Sequence, residues 1–234
     1  MTTTIAVLGG TGKEGSGLAF RWALAGHRVI VGSRDLVKAH AAAAELNMLL
    51  AGRATIEGMD NATAAGAASL IVLTVPFSAQ HATALGVKDA LAGKVLVDVT
   101  VPLTPPKVDK VQLPATGSAV EALQRKLGEG VRVVSAFQNV SAVHLKDPGY
   151  QIDCDVLVCG DDADAREQVV SLARDAGMVA WHAGVLANSA ASEALTSVLI
   201  AINKRYKIPG AGIRITGVPR PDAGNLPTRV VPRS

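Results

Sequence analysis

Short apolar runs alternate with longer amphipathic stretches along most of the chain. The apolar runs are rich in Val, Ile and Leu and too short for helices, which predicts strands buried on both faces. The predicted strands lie at residues 5–8, 28–31, 55–56, 70–75, 94–99, 131–135, 155–159 and 179–182. Helical spacing predicts helices at 14–25, 35–50, 61–68, 78–91, 118–127, 162–176 and 187–206. The alternation predicts an α/β fold with a doubly wound, parallel Rossmann-type sheet.

The carboxy-terminal part of the chain has a different pattern. Apolar residues recur at helical spacing in the last predicted helix, at Ala191, Ala194, Leu195, Val198, Leu199 and Ile202. The sequence beyond it is rich in Pro, Gly and Arg and is mostly irregular. We therefore expect a sheet domain over residues 1–183 and a small C-terminal helical segment with an irregular tail over 184–234. The apolar stripe either joins the core or forms a homodimer interface.

Composition narrows the class of protein. Aromatic residues make up only 3% of the 234 residues, so the core must consist of Ala, Val, Leu and Ile. The net charge of +3 is small and dispersed, which argues against nucleic acid. No apolar run reaches the ~18 residues of a membrane span, and the chain opens directly into a strand. We expect a cytoplasmic protein in which Cys154 and Cys159 are buried thiols.

A glycine-rich loop follows the first predicted strand and opens the first helix. The sequence Gly10-Thr11-Gly12-Lys13-Glu14-Gly15 has the GxGxxG pattern of dinucleotide-binding loops. Gly10 permits the tight turn, Gly12 lets a pyrophosphate approach the backbone, and Gly15 lets the helix pack on the sheet. The helix N-terminus presents free N–H groups to the anion. These six residues are therefore predicted to bind a dinucleotide.

The end of the second predicted strand indicates which dinucleotide binds. Enzymes that use NAD carry an Asp or Glu there to hold the ribose 2′-hydroxyl, whereas this chain has Ser33 and Arg34. A hydroxyl and a guanidinium favour a 2′-phosphate, and Lys38 lies one helical turn further on. Asp35 competes as a ribose ligand, but its commonest role at this position is to cap the helix. The sequence therefore predicts NADP(H).

Further segments resemble one known family, the deazaflavin-dependent NADP oxidoreductases, which use coenzyme F420. The likeness lies in residues 9–12, the Gly-His pair at 26–27, residues 32–34 with Lys38, and segments 73–77, 134–138, 158–162, 186–189, 193–196 and 212–213. It covers the chain to about Gly217. The resemblance implies an enzyme that transfers hydride between a nicotinamide and a deazaflavin stacked in one cleft.

The resemblance also implies roles for individual residues. Thr11, Ser33, Arg34 and Lys38 would hold the adenosine phosphates. Residues Val75, Pro76, Phe77, Val101 and Pro102 would border the nicotinamide. Phe137, Gln138 and Asn139 would lie beside the second substrate, with Ile213 near its ring. Archaeal members of the family carry His where this chain has Gln138.

Candidate acid–base groups are few. The histidines show no metal-ligand spacing, so no metal site is predicted. The one histidine that is a catalytic candidate is His144, which follows the 137–143 loop, although His more often packs than catalyses. Gln138 is the other candidate. The scattered Arg214, Arg220, Arg229 and Arg233 could bind a polyanionic substrate tail.

Two other functions stay open from sequence alone. One is an NADPH-dependent reductase of a small carbonyl or imine, with Tyr150 or His144 as proton donor. The other is a non-catalytic NADP(H) sensor. Hydride transfer between two stacked redox rings needs little acid–base help, so the lack of an evident acid favours the deazaflavin reaction.

Overall fold

The computed structural model describes residues 2–219. In this part of the chain the sheet contains β1 (Thr4–Leu8), β2 (Arg28–Ser33), β3 (Ile56–Asp60), β4 (Leu70–Leu73), β5 (Val95–Asp98), β6 (Arg132–Ser135), β7 (Val156–Gly160) and β8 (Ala180–His182). The helices are α1 (Lys13–Leu24), α2 (Leu36–Leu50), α3 (Asn61–Ala67), α4 (Phe77–Leu85), α5 (Lys88–Leu91), α6 (Ala119–Leu127), α7 (Ala163–Asp175) and α8 (Ser189–Tyr206). All eight predicted strands are present.

The strand order is β3-β2-β1-β4-β5-β6-β7-β8. The pairs from β3 to β6 are parallel, as are β7 and β8. This confirms the Rossmann-type α/β fold. The β6–β7 pair, however, is antiparallel, with Ser135 opposite Cys159. As a result, the first residues of β7 lie at the same edge as the carboxyl ends of β1 to β6.

Helices cover both faces of the sheet because successive residues of each strand point to opposite sides. In β1, Ile5 and Val7 join the apolar cluster formed with α1, α2 and α7. Ala6 and Leu8 join the cluster formed with α3, α5 and α6. The strands are therefore apolar throughout, as a sheet buried on both faces requires.

Two helical regions differ from the prediction. The single helix expected at 78–91 is broken, since Gly86 caps α4 and α5 begins at Lys88. In α8 the buried side chains are mostly polar, Ser189, Ser192, Glu193, Ser197 and Leu199. Much of the predicted apolar stripe is thus turned outward, and Val198 is 45% exposed. Within residues 2–219 none of the helices combines the length and apolar character needed to cross a bilayer.

Candidate active site

The glycine-rich loop joins β1 to α1 in the predicted way. Gly12 caps α1 without a side-chain hydrogen bond, so the amides of the first helical turn, at Lys13, Glu14 and Gly15, remain for an anionic ligand. Gly15 packs so closely that a Cβ there would collide with Thr74 Oγ1 and approach the Cα of Gly10 to 2.9 Å. The structure therefore explains why this position takes glycine, and the loop fits a pyrophosphate.

A cleft of about 480 Å³ opens at the carboxyl ends of β1, β2 and β4. We call it the Ser33 cleft. It brings together seven of the predicted cofactor-binding residues, Thr11, Gly12, Ser33, Arg34, Lys38, Val75 and Pro76. Residues far apart in the sequence meet here because parallel strands all end at one edge of the sheet. Its lining includes Gly9 and Gly12 of the glycine-rich loop, as expected of a dinucleotide site.

The charges at the end of β2 suit a phosphate. Arg34 and Lys38 are both exposed on the cleft side. The Asp35 carboxylate accepts hydrogen bonds from the amides of Val37 (3.0 Å) and Lys38 (3.2 Å), so it caps α2 as predicted. Ser33 Oγ accepts from the amide of Asp35 at 3.2 Å, which leaves its hydroxyl hydrogen for another acceptor.

Three residues of the cleft were not predicted from the sequence. Asn61, Ala79 and Thr83 also line it. Asn61 is the first residue of α3, and its buried Oδ1 lies against Gly32, with no hydrogen-bond partner in the described chain. No local motif marks these residues. The only available signal was the position of Asn61 directly after a weak third strand that ends at the same sheet edge.

The predicted nicotinamide border lies where β4, β5 and β6 end side by side. Leu73 is level with Asp98, and Asp98 with Ser135. The loops that follow these strands carry Phe77, which is half-buried at the start of α4, and the pair Val101 and Pro102. The structure therefore brings the two predicted loops, 75–77 and 101–102, to one edge.

Below that edge, Gln138 and Asn139 are fixed inside the protein. Gln138 is 4% exposed, and its Nε2 donates to the carbonyl oxygen of Asp98 at 2.7 Å. Asn139 is 3% exposed and donates to the carbonyl oxygen of Asp155 at 2.8 Å. Each side chain keeps a buried amide oxygen without a protein partner in the described chain. Both oxygens are enclosed by protein, so in this conformation the two side chains hold the loop rather than line a cavity.

Phe137 does not reach the cleft. Its φ of 73° turns the chain at the end of β6, and its ring is completely buried. The ring packs edge-on against Trp22 with a centroid separation of 5.9 Å. The structure therefore places Phe137 in the core beneath the loop, so that its effect on a ligand would be indirect.

A second cavity, of about 370 Å³, lies between the 141–154 loop and the 210–214 segment. We call it the His144 cavity. The rings of His144 and Tyr150 stack at its wall, with centroids 3.8 Å apart and planes inclined by 14°. Ile213 and Arg214 also line it. The structure thus assembles three residues that the sequence analysis singled out separately, His144, Tyr150 and Ile213.

The predicted polyanion contacts are only partly described. Arg214 Nε donates to an Asp153 carboxylate oxygen at 2.5 Å, and both side chains are exposed. Arg220, Arg229 and Arg233 lie outside the described residues. Arg214, which lines the His144 cavity, therefore belongs to an ion pair rather than being a lone cation.

Asp98 and Glu193 carry buried carboxyl groups. Asp98 is completely buried and accepts from the Thr100 amide at 2.9 Å, and burial raises the pKa of Asp98 to about 6. Glu193 on α8 is 1% exposed, and it accepts from the backbone amides of Ala119 (2.8 Å) and Val120 (3.3 Å). Both carboxylates hold backbone in place and neither faces the Ser33 cleft.

Comparison with known proteins gives the family. Residues 4–102 match the family model described as NADP oxidoreductase, coenzyme F420-dependent. The chain is 43% identical over 227 residues to the F420-dependent NADP reductase of Methanothermobacter thermautotrophicus, a match covering 94% of this chain and 97% of that relative. It is 41% identical over 221 residues to the enzyme of the same name from Methanocaldococcus jannaschii, covering 92% and 98%.

A solved structure agrees with this. An Arthrobacter sp. FB24 protein, proposed to be an F420-dependent NADP reductase, superposes with a TM-score of 0.77 at 29% identity, covering 92% of this chain and 100% of that one. Identity above two fifths over nearly the full length of curated relatives decides the assignment. The chain belongs to the coenzyme F420-dependent NADP oxidoreductases, the enzymes that transfer hydride between NADP(H) and F420.

Proposed function

We propose that this chain holds NADP(H) in the Ser33 cleft and the deazaflavin ring of F420 toward the His144 cavity, and passes hydride between them. The observation that carries the proposal is the composition of the cleft where β2 ends. Ser33, Arg34 and Lys38 lie together there, and two nearby carboxylates, Asp35 and Asp60, are each occupied as a helix cap. A doubly charged phosphate fits such a set of groups.

The glycine loop and the α1 N-terminus would hold the pyrophosphate of the dinucleotide, and the loops at 75–77 and 101–102 would border its nicotinamide. The bound nicotinamide supplies the hydride chemistry. The protein contributes proximity and exclusion of water. Gln138 and Asn139 would position the loop beside the ligand rather than move a proton, because a carboxamide does not titrate near neutral pH.

The acceptor is proposed to approach from the His144 cavity for a reason of connectivity. Only residues 139–140 separate Gln138, under the ends of β5 and β6, from Ser141 in the cavity wall. The stacked His144–Tyr150 pair offers a flat aromatic wall to a planar ring. For hydride to pass, a deazaflavin in this place would have to extend past the 138–141 loop into direct contact with the nicotinamide.

The direct test mixes the protein with NADPH and oxidised F420 and follows the deazaflavin absorbance. Bleaching that depends on NADPH supports the proposal. A protein that binds NADPH but leaves F420 oxidised would contradict it. Turnover of an aldehyde or imine panel would then indicate a small-molecule reductase. No turnover of F420 or of the panel would indicate an NADP(H) sensor.

We also propose that the chain forms a homodimer through α8. Ala191, Leu195, Val198, Ile202 and Tyr206 follow one side of this helix, and each is at least partly exposed. Such an apolar stripe is stabilised by burial against a second copy. Val198→Glu should yield a monomer by light scattering. Val111→Glu, at a similarly exposed position in the Pro-rich loop, should leave the mass unchanged.

Two further predictions, on domain division and on cellular location, remain proposals. The first is the division between a domain of residues 1–183 and a segment of 184–234, with α8 tied to α6 through Glu193. The second is a cytoplasmic location, which the buried, unpaired thiols of Cys154 and Cys159 favour. Localisation of a tagged full-length chain by fractionation would test it.

A further inference from the structure

Arg21 lies in the middle of α1 and is 1% exposed, which is unusual for a charged side chain. Its guanidinium donates to five backbone carbonyl oxygens and to no carboxylate in the described chain. The acceptors are Leu145 (2.9 Å), Ala176 (3.1 Å), His144 (3.1 Å), Asp147 (2.9 Å) and Tyr150 (3.0 Å). Four of the five belong to the 141–154 loop, which lines the His144 cavity.

The carbonyls of the two stacked residues meet at one atom. Nη2 of Arg21 donates to the carbonyl oxygens of both His144 and Tyr150. Because this atom draws the two ends of the loop together, it brings the two rings into register for stacking at 3.8 Å. The loop has little regular structure of its own, apart from a 3-10 turn at Ala142–His144.

A second contact from the same helix face supports the loop. Gly17 lies one helical turn before Arg21, and a Cβ at Gly17 would collide with the side chain of Leu145. The loop therefore rests on α1 at two successive turns. The other end of the helix is the amino-terminal turn that the glycine loop opens, so α1 connects the Ser33 cleft with the His144 cavity.

We infer that Arg21 is a positioning residue for the hydride acceptor, which it serves by holding the His144–Tyr150 stack against which the planar ring of the acceptor packs. This inference rests on the proposed function of the His144 cavity. A planar fork with five N–H groups can satisfy carbonyls arranged around it, whereas an ammonium is a compact point charge and cannot reach the same set. Lysine is therefore not equivalent here.

The test compares Arg21→Lys with the wild-type protein in NADPH-driven reduction of F420. We expect the KM for F420 to rise about tenfold, with the Kd for NADPH and the kcat at saturating F420 each within about twofold. Arg53→Lys is the matched control, because Arg53 also donates to backbone carbonyls, of Leu49 and Leu50, but at the far end of α2. It should change none of these values.

A double-mutant cycle separates positioning from general support of the fold. In a Tyr150→Ala background the stack is already lost, so Arg21→Lys should raise the KM for F420 no further. An equal rise in both backgrounds, or an unchanged KM in folded Arg21→Lys, would overturn the inference. Wild-type protein that does not reduce F420 at all would instead refute the proposed function.

Arg21→Gln repeats the comparison if the lysine variant does not fold, since the amide keeps two N–H donors and buries no charge. The Kd for NADPH and the circular dichroism spectrum report on folding in each case. If both variants unfold where Arg53→Lys is native, Arg21 supports the whole domain and the inference fails.

Discussion

Asp98 and Gln80 form a buried pair directly beneath the edge of the sheet that carries the site. Nε2 of Gln80 donates to Oδ2 of Asp98 at 2.5 Å, and both residues are completely buried. The other carboxylate oxygen accepts from the amide of Thr100, while the carbonyl of Asp98 receives Gln138. The end of β5 is thus fixed from three directions, which keeps the 99–102 loop in one place.

This arrangement predicts a pH-dependent stability. Burial raises the folded-state pKa of Asp98 from 3.8 to about 6, so the folded protein holds this proton more tightly than the unfolded chain. Its contribution is therefore fully present below pH ~4 and is lost as the pH rises through about 6. Asp98→Asn should remove this pH dependence because asparagine does not ionise, and its amide can donate to the partnerless Oε1 of Gln80 once that side chain rotates.

Chemical denaturation at several pH values measures this. Relative to wild type, the free energy of unfolding of Asp98→Asn should improve by about 1–3 kcal/mol between pH 4 and pH 8. A difference between the two proteins that is the same at both pH values would contradict the assignment of the proton to Asp98.

Glu193 predicts a large loss of stability from a single truncation. Its carboxylate receives Ser118 Oγ (2.6 Å) and the first amides of α6, all of them buried. Glu193→Ala should lower the free energy of unfolding by about 2–4 kcal/mol, because it leaves buried donors without a partner. Thermal or urea unfolding checks the size of the effect.

The control for this variant lies on α6 itself. Glu121 pairs with Arg125 at 2.6 Å on the exposed side of the helix. Exposed pairs contribute less than about 1 kcal/mol, so Glu121→Ala should be nearly neutral. Equal losses in the two variants would show that burial at Ser118 and Ala119 is not the cause.

The parts of the fold and of the site that could be predicted from the sequence are those determined by residues close together in the chain. Strands and helices follow from the spacing of apolar residues, and Asp35 could be recognised as a cap from its position before α2. The direction of β7 could not be read from its apolar run, which is the same in either direction. One signal was available: only a 3-10 turn separates β6 from β7, whereas parallel crossovers usually contain a helix.

Residues that act across long sequence separations were not predicted. Arg21 meets the 144–150 loop more than a hundred positions away, and nothing near Arg21 in the sequence distinguishes it from a surface arginine. The exposure of the apolar face of α8 was likewise not predictable. A helical stripe shows that one face is apolar but not whether that face packs against the core. Asn61 lines the Ser33 cleft because β3, which it follows, ends at the same edge of the sheet.

Glu14 predicts a second pH effect, this time on ligand binding. It is half-buried in the first turn of α1, and burial raises its pKa to about 8. At pH 7 its carboxyl is therefore mostly neutral and does not repel a pyrophosphate at the helix N-terminus. As the pH rises through about 8 the carboxylate forms, so the affinity for NADPH should fall and stability should fall with it.

Glu14→Gln keeps the shape of the side chain and cannot ionise. Its Kd for NADPH, measured by fluorescence titration, should stay flat from pH 7 to pH 9, while that of the wild-type protein rises severalfold. Parallel curves for the two proteins would place the titrating group elsewhere.

Arg34 predicts the preference between the two dinucleotides. It lies at the end of β2 in the Ser33 cleft, where a guanidinium pairs with a 2′-phosphate that NADH lacks. The wild-type protein should bind NADPH at least about tenfold more tightly than NADH, a difference of about 1.4 kcal/mol. Arg34→Ala should remove most of that difference by weakening NADPH while leaving NADH nearly unchanged.

The opposite end of the same strand provides the control. Arg28 opens β2 and pairs with Glu57 at 2.8 Å, away from the cleft, so Arg28→Ala should keep the preference for NADPH. If Arg34→Ala retains the full preference, Ser33 and Lys38 must hold the phosphate without it, and the double variant of those two residues would then show the loss. Equal affinities of wild-type protein for the two dinucleotides would instead mean that the cationic end of β2 does not read the 2′-phosphate at all.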